Sequence, residues 1–408
     1  MGIANYNNRI RLSQKMCLAL VWIITIYSSV IQQRYFQISN GMLIFGIIFL
    51  LCFMLSINQT TVLIDDLLPK EEKLQLFFLV FMFVVGILFA VSWDMHNTQL
   101  VNTAEYSVVM ILTAYTVRKT GSDSIHALLF VVAAFLALIL LLDPVVLING
   151  RYSVSVDSNP NGVGMSIASG IWAVLYFYQK KRIPLVITFL IVGAFGYSIL
   201  LTGSRKSLIV AIAILVLWLF FLYLPNLRRE KIASSMFKIL VIISIAVVLV
   251  YLFLKAYDGS TMANRMLYLQ NEMSEGSRFQ LYVSGLEIFK EHPFGIGFQG
   301  FREYVTWYSH STIVEVFVSG GIIGAIIYFS SYFVSIKKTI RLFRLTKCKS
   351  EFFSINDELK MLLILWGVIL FYCVCIIHPY QYDSFILFAI IFGQTGAIEE
   401  YIAKRGEV

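Results

Sequence analysis

The feature that most constrains this chain is a succession of apolar runs, each about as long as a membrane is thick. Crossing roughly 30 Å of hydrocarbon as a helix takes about 20 predominantly apolar residues. Helices and closed barrels alone satisfy their own backbone hydrogen bonds there. Twelve such runs are legible, at residues 16–32, 41–57, 74–93, 101–117, 125–142, 162–178, 183–201, 207–224, 237–254, 312–334, 360–377 and 385–398. Over 408 positions 59% of residues are hydrophobic and 14% charged, against roughly 25% charged in ordinary globular chains, which excludes a soluble fold. The first run lacks a small-residue cleavage site and is followed by Gln32-Gln33-Arg34, so it reads as a span rather than a signal peptide. All seven prolines fall between the runs or in a first turn, where a missing N–H costs little. The predicted fold class is an all-α polytopic membrane protein of about 12 transmembrane helices, a single integral membrane domain over residues 1–408.

Charge sets the expected orientation. The net charge of +8 would suggest nucleic acid in a soluble protein, but here the basic residues lie between apolar runs, where they set topology. No nucleic-acid partner is expected. With the N-terminus cytoplasmic, 23 of the 32 basic residues fall on the inner side of a twelve-span alternation. Both termini are then cytoplasmic. The outer side keeps Arg34, Arg151, Arg205, Lys206, Lys255, Arg265, Arg278, Lys290 and Arg302. A long extracytoplasmic loop, residues 255–311, faces outward. The halves show no matched loop lengths and no inverted repeat of the kind many transporters carry.

Several chemistries lack their residues. No CxxC occurs among the five cysteines, and Cys373 and Cys375 point to different faces of a helix, so neither disulfide nor metal site is expected. There is no GxxxxGK[ST] loop, no HExxH and no outward pair of acids to ligate a metal for glycosyl transfer. No cofactor is expected.

The outward basic residues need their own reasons. Arg205 and Lys206 sit in the short turn Thr202-Gly203-Ser204-Arg205-Lys206, at the edge of hydrocarbon, where a charge is a functional hypothesis and snorkelling to lipid phosphates is the plainer one. Backbone N–H groups after Gly203-Ser204 are expected to add to an anion site there. Arg278 follows Glu275-Gly276-Ser277 and opens an amphipathic helix, with Tyr282, Val283, Leu286 and Phe289 following Phe279 at helical spacing. That helix reads as lying at a membrane surface. His292-Pro293 ends it, and the glycines at 295, 297 and 300 read as a close-turning loop open to a bulky substrate. His310 then stands at the mouth of the next span. Glu315, about 140° round the helix from it, is poorly placed to pair with it and shares a face with Ser311 instead.

These pieces resemble the O-antigen ligase and O-antigen polymerase family of bacterial polysaccharide assembly. The resemblance rests on Asn159-Pro160-Asn161, LLTGSRKS at 200–207, SRFQLYVSGLEIFKEHPFGIGFQGF at 277–301 and HSTIVEVFVSGGIIG at 310–324. It implies undecaprenyl-diphosphate-linked oligosaccharides as donor and acceptor, handled outside the cytoplasmic membrane without nucleotide sugar or metal. Arg205 and Arg278 would hold the diphosphate and His310 would serve the acceptor hydroxyl. Lys206, Asn161, Arg151 and Asp383 are the further candidates for contacting the substrate. Guanidinium suits this chemistry because it stays charged and binds phosphate oxygens in pairs.

The leading expectation is a membrane glycosyltransferase that polymerises lipid-linked repeating units into capsular polysaccharide, exopolysaccharide or O-antigen, in a bacterial cytoplasmic membrane. Membrane lipid, a flippase and a chain-length regulator are its expected partners. One alternative is a ligase that moves finished glycan to another acceptor. Another, from a different class, is a flippase or transporter for the same lipids. It would carry charges midway along its spans, whereas here the candidate charges lie at the outer edge.

Overall fold

The structure is a computed structural model that describes residues 12–27, 30, 46, 68–147, 150–227, 277–347 and 349–405. The expected span at 41–57 apart from residue 46, the span at 237–254 and the loop from 255 to 276 lie outside the described residues. Each expected span between residues 74 and 224, and each from 312 onward, coincides with a helix. In chain order the helices are α1 (Leu12–Ile26), α2 (Lys70–Phe89), α3 (Trp93–Thr120), α4 (Asp123–Leu142), α5 (Pro160–Gln179), α6 (Leu185–Thr202) and α7 (Arg205–Trp218, continued by a π turn to Leu227). After the undescribed stretch come α8 (Ser277–Glu291), α9 (Phe301–Val305), α10 (Thr312–Thr346), α11 (Phe353–Cys375) and α12 (Tyr382–Ala403). Among the described residues eight helices (α2, α3, α4, α6, α7, α10, α11 and α12) are long and apolar enough to cross a membrane. The chain is a multi-pass, predominantly helical membrane protein. A small addition to the all-α expectation is an antiparallel ribbon pairing β1 (Val145–Val146) with β2 (Tyr152–Ser153).

The helix ends follow from local chemistry. Glu71 and Glu72 occupy the first turn of α2, and Arg118 and Lys119 the last turn of α3, each matching the helix dipole. Asn159 caps α5 with Pro160 just inside it, Ser204 caps α7 and Ser311 caps α10.

The helices fall into two compact units. One contains α2, α3 and α8 to α12. At one end of it charged side chains join four helices: Arg118 pairs with Glu72 at 3.1 Å, Lys338 with Glu71 at 3.2 Å and with Glu399 at 2.7 Å, and Lys119 with Glu400 at 3.3 Å. These are basic residues the charge pattern assigns to the cytoplasmic side. The Arg118–Glu72 pair is almost wholly buried, so removing one partner would strand the other at a cost of about 3–5 kcal/mol. The other unit contains α4, the ribbon, α5, α6 and α7. There α5 is buried along most of its length, between α4 and α6 among its neighbours.

The glycine-rich segment departs from its expected role. Helix α10 is broken at Gly321, whose φ of 63° and ψ of −166° are non-helical. The segment before α9 lies along this break: Ile296 N–H donates to Val318 O at 3.0 Å, Gly297 N–H to Ser319 O at 3.0 Å, and Ile322 N–H to Pro293 O at 3.0 Å. Carbonyls and an amide that a helix break would leave bare inside a membrane protein are thereby satisfied. A Cβ at Gly295 would lie 2.4 Å from Ser319 O, and one at Gly297 2.9 Å from both Ala90 Cβ and His96 Nδ1. These glycines admit close approach by the protein's own α10 backbone at Gly295 and by Ala90 and His96 at Gly297, and residues 295–298 are buried.

The amphipathic helix α8 forms as expected, and of its expected apolar face Tyr282 and Phe289 touch protein, through Val374 O and the Phe317 ring. Gly285 and Ile288 face α10, and a small core gathers Ile288, Ile296, Phe301 and Val318, flanked by Leu281, Val305 and Val314. Phe279, Val283 and Leu286, three residues of the expected apolar face, are exposed, Phe279 at 73%.

Candidate functional site

In the unit built on α4 to α7, three helix ends meet around the TGSRKS turn. Thr202 ends α6, Gly203 takes the left-handed conformation that stops it (φ 61°), and Ser204 begins α7 by accepting from Ser207 N–H. Arg205 is therefore the first residue of a helix, half-buried, with Lys206 buried behind it. The amides of Gly203 and Ser204 are used within the turn. Gly203 N–H donates to Leu200 O at 2.9 Å and Ser204 N–H to Thr202 Oγ1 at 3.2 Å. The turn's first two amides are thus taken up within the turn itself.

Arg151 and Asn161 are brought together with that turn. Arg151 is buried; its Nε donates to Thr202 O at 2.8 Å and its Nη2 to Asn161 Oδ1 at 2.8 Å. Ser207 Oγ donates to Asn161 O at 3.4 Å. The ribbon thus carries a guanidinium that clasps the carbonyl just before Gly203-Ser204-Arg205 and the start of α5. This geometry holds the turn that presents Arg205.

The remaining candidates belong to the other unit. Arg278 lies in the first turn of α8, exposed. Asp383 lies in the first turn of α12, beside Tyr382, which packs edge-on against Tyr106. His310 does not itself open α10: Ser311 caps it, and His310 precedes the cap with a left-handed backbone, φ 56°. Its ring is half-buried and tilted against Tyr308, centroids 4.0 Å apart.

Behind His310 lies a polar network that the sequence reading did not assemble. Glu315, 1% exposed, accepts from Ser309 Oγ at 2.7 Å, Tyr380 Oη at 2.6 Å and Ser319 Oγ at 3.4 Å. Tyr380 Oη also accepts Gln299 N–H at 2.9 Å, and Gln299 reaches Gln99 at 3.0 Å. His378 N–H donates to Thr312 Oγ1 at 2.9 Å. The available signal was a lone acid three residues into an apolar span, which is costly without partners.

His378 is fully buried and hydrogen-bonded through Nδ1 to Tyr332 at 2.7 Å. Burial pushes its pKa from 6.5 down to about 3, so it is neutral at pH 7 and not a general acid. The folded state thus holds a less basic histidine than the unfolded chain. The stability this gives is present above pH 6.5 and is lost as pH falls toward about 3. Melting in detergent should show that acid loss, and His378→Gln should show less of it.

Residues 188–329 match the family model described as O-antigen ligase. This stretch is similar to the O-antigen ligase family. It runs from within α6 to the middle of α10 and includes Arg205, Lys206, Arg278, His310 and Glu315. Arg151, Asn161 and Asp383 lie outside it. No curated protein matches the chain. The O-antigen ligase domain supports an activity of the ligase or polymerase type, that of a membrane glycosyltransferase.

Proposed function

We propose that this chain polymerises lipid-diphosphate-linked oligosaccharide repeating units by glycosyl transfer on the outer face of a bacterial cytoplasmic membrane. The observation that carries the reading is the O-antigen ligase domain, which contains two arginines and a histidine at helix ends or beside them. In the reaction an acceptor hydroxyl attacks the anomeric carbon of the donor sugar. The bond from that carbon to the diphosphate oxygen breaks, and the hydroxyl proton passes to His310. Arg205 and Arg278 stabilise the charge growing on the leaving lipid diphosphate. Loss of one such donor typically costs about 3–4 kcal/mol in the transition state. The exposed apolar residues of α8 would keep the lipid at the membrane surface. A flippase and a chain-length regulator would act before and beside it.

The family description itself favours a second reading, in which finished glycan moves to a different acceptor. One experiment separates them. Cells lacking the protein should accumulate single lipid-linked repeating units if it is a polymerase, and long lipid-linked chains if it is a ligase. Normal glycans in such cells would refute both.

Arg205→Lys tests the diphosphate role, because it keeps the charge and removes the forked donors. It should lose most of the polymer yield at matched membrane levels, and Lys206→Ala should be milder. Equal tolerance of both changes, read on gels of extracted polysaccharide, would return Arg205 to lipid anchoring.

A further inference from the structure

We infer that Glu315 is a positioning residue for His310, a role that rests on His310 being the proton acceptor proposed above. The acid sits in the short first segment of α10, between the Ser311 cap and the break at Gly321. Among the described residues no cation pairs with it; its partners are three hydroxyls. Oxygen Oε2 takes the Ser309 hydroxyl at 2.7 Å, and Oε1 takes those of Tyr380 and Ser319.

Ser309 is the residue just before His310. Its Oγ accepts Ser311 N–H at 3.4 Å and lies 3.0 Å from Ser311 O. The carboxylate therefore grips the three-residue turn Ser309-His310-Ser311 through its first member. His310 holds φ 56° within that turn, a conformation uncommon for residues other than glycine, which the bonds around the turn help to hold. Through Tyr380 the same carboxylate reaches Gln299 N–H, at the end of the glycine-rich segment laid along the helix break. One acid thus ties the turn carrying His310 to the segment that is itself bonded to α10. Three hydroxyls converge on the carboxyl oxygens, the Ser309 hydroxyl nearer to Glu315 than to Ser311 O. A glutamine would turn an NH2 toward one of them.

An acid that merely stabilises the bundle would lower protein yield and leave the turnover of surviving molecules alone. An acid that positions His310 acts through it and through nothing else. A misplacement of about 1 Å at a reacting group can cost about 10²-fold in rate. Glu315→Gln is therefore expected to lower kcat by about 10- to 100-fold, and Ser309→Ala by about tenfold, with KM changed less than about twofold. Glu315→Asp, which still only accepts, should recover part of the loss.

The decisive measurement is a double-mutant cycle with His310→Ala. Purified variants would be supplied with lipid-linked oligosaccharide extracted from cells lacking the protein, and chain growth followed at high enzyme concentration. Once His310 is gone, removing the Ser309 hydroxyl or the Glu315 carboxylate should cost no more than about a further twofold. If each loss persists in full without His310, Glu315 does not act through it, and the inference falls while the catalytic reading stands. If His310→Ala alone keeps the wild-type rate, the catalytic reading falls and takes the inference with it. Should Glu315→Gln fail to fold, Ser309→Ala carries the same cycle with a smaller change beside the same turn.

Discussion

Replacing His310 by asparagine is expected to leave the protein at its normal level in the membrane and to remove nearly all polymer. Asparagine is chosen because it tolerates the left-handed backbone that His310 adopts (φ 56°). It keeps hydrogen-bonding capacity but takes no proton near neutrality. Glutamine shares the chemistry and fits the backbone less readily, so His310→Gln should fail as well. Loss of a general base is worth roughly 10²–10⁴-fold in rate, enough for single repeating units to accumulate on their lipid while donor binding persists. The comparison is polymer length on gels at matched expression, with lipid-linked units measured beside it. A histidine that served only to shape the turn ahead of α10 would be replaced well by asparagine. Long chains from His310→Asn cells would therefore remove the proton-transfer role.

The spans that fall on described helices were legible because a bilayer imposes length and composition on each helix independently of its neighbours. The caps are just as local, since Ser204, Ser311 and Asn159 accept from backbone groups two or three residues away. The arginines and His310 stood out through charge or position. What escaped depends on contacts distant in sequence. Gly321 sits in Ser319-Gly320-Gly321-Ile322, which a helix tolerates at a modest cost. Only the approach of residues 293–297 makes it a break. Glu315 read as an acid badly placed for His310. Its connection to the turn runs through Ser309, and its other hydroxyl comes from Tyr380, 65 residues away. The stripe of α8 was read correctly as helical, but which side meets protein was decided by Gly285, where Val314 fits because no Cβ is present.

The break at Gly321 leads to the second large effect. Gly321→Ala should abolish accumulation of folded protein, whereas Gly320→Ala, one residue away, should be nearly silent in yield. At 321 the backbone lies in a region that side chains scarcely enter, which costs about 1–3 kcal/mol by itself. A Cβ there would also stand 2.3 Å from Pro293 O and 2.5 Å from Phe294 C, so backbone rather than a flexible side chain would have to move. Relief means withdrawing residues 293–297 from α10, which breaks the bonds from Ile296, Gly297 and Ile322 and leaves those groups unsatisfied. Stranded polar groups of this kind cost about 1–3 kcal/mol each, and natural stability is only about 5–15 kcal/mol in total. At 320 the nearest atom is Met82 Sδ at 3.1 Å, the end of a side chain that can shift. Yield and elution profile in detergent would read both variants. A Gly321→Ala protein that elutes as sharply as wild type would mean that α10 can straighten through this point. The segment carrying Gln299 would then not depend on the break for its place beside Tyr380.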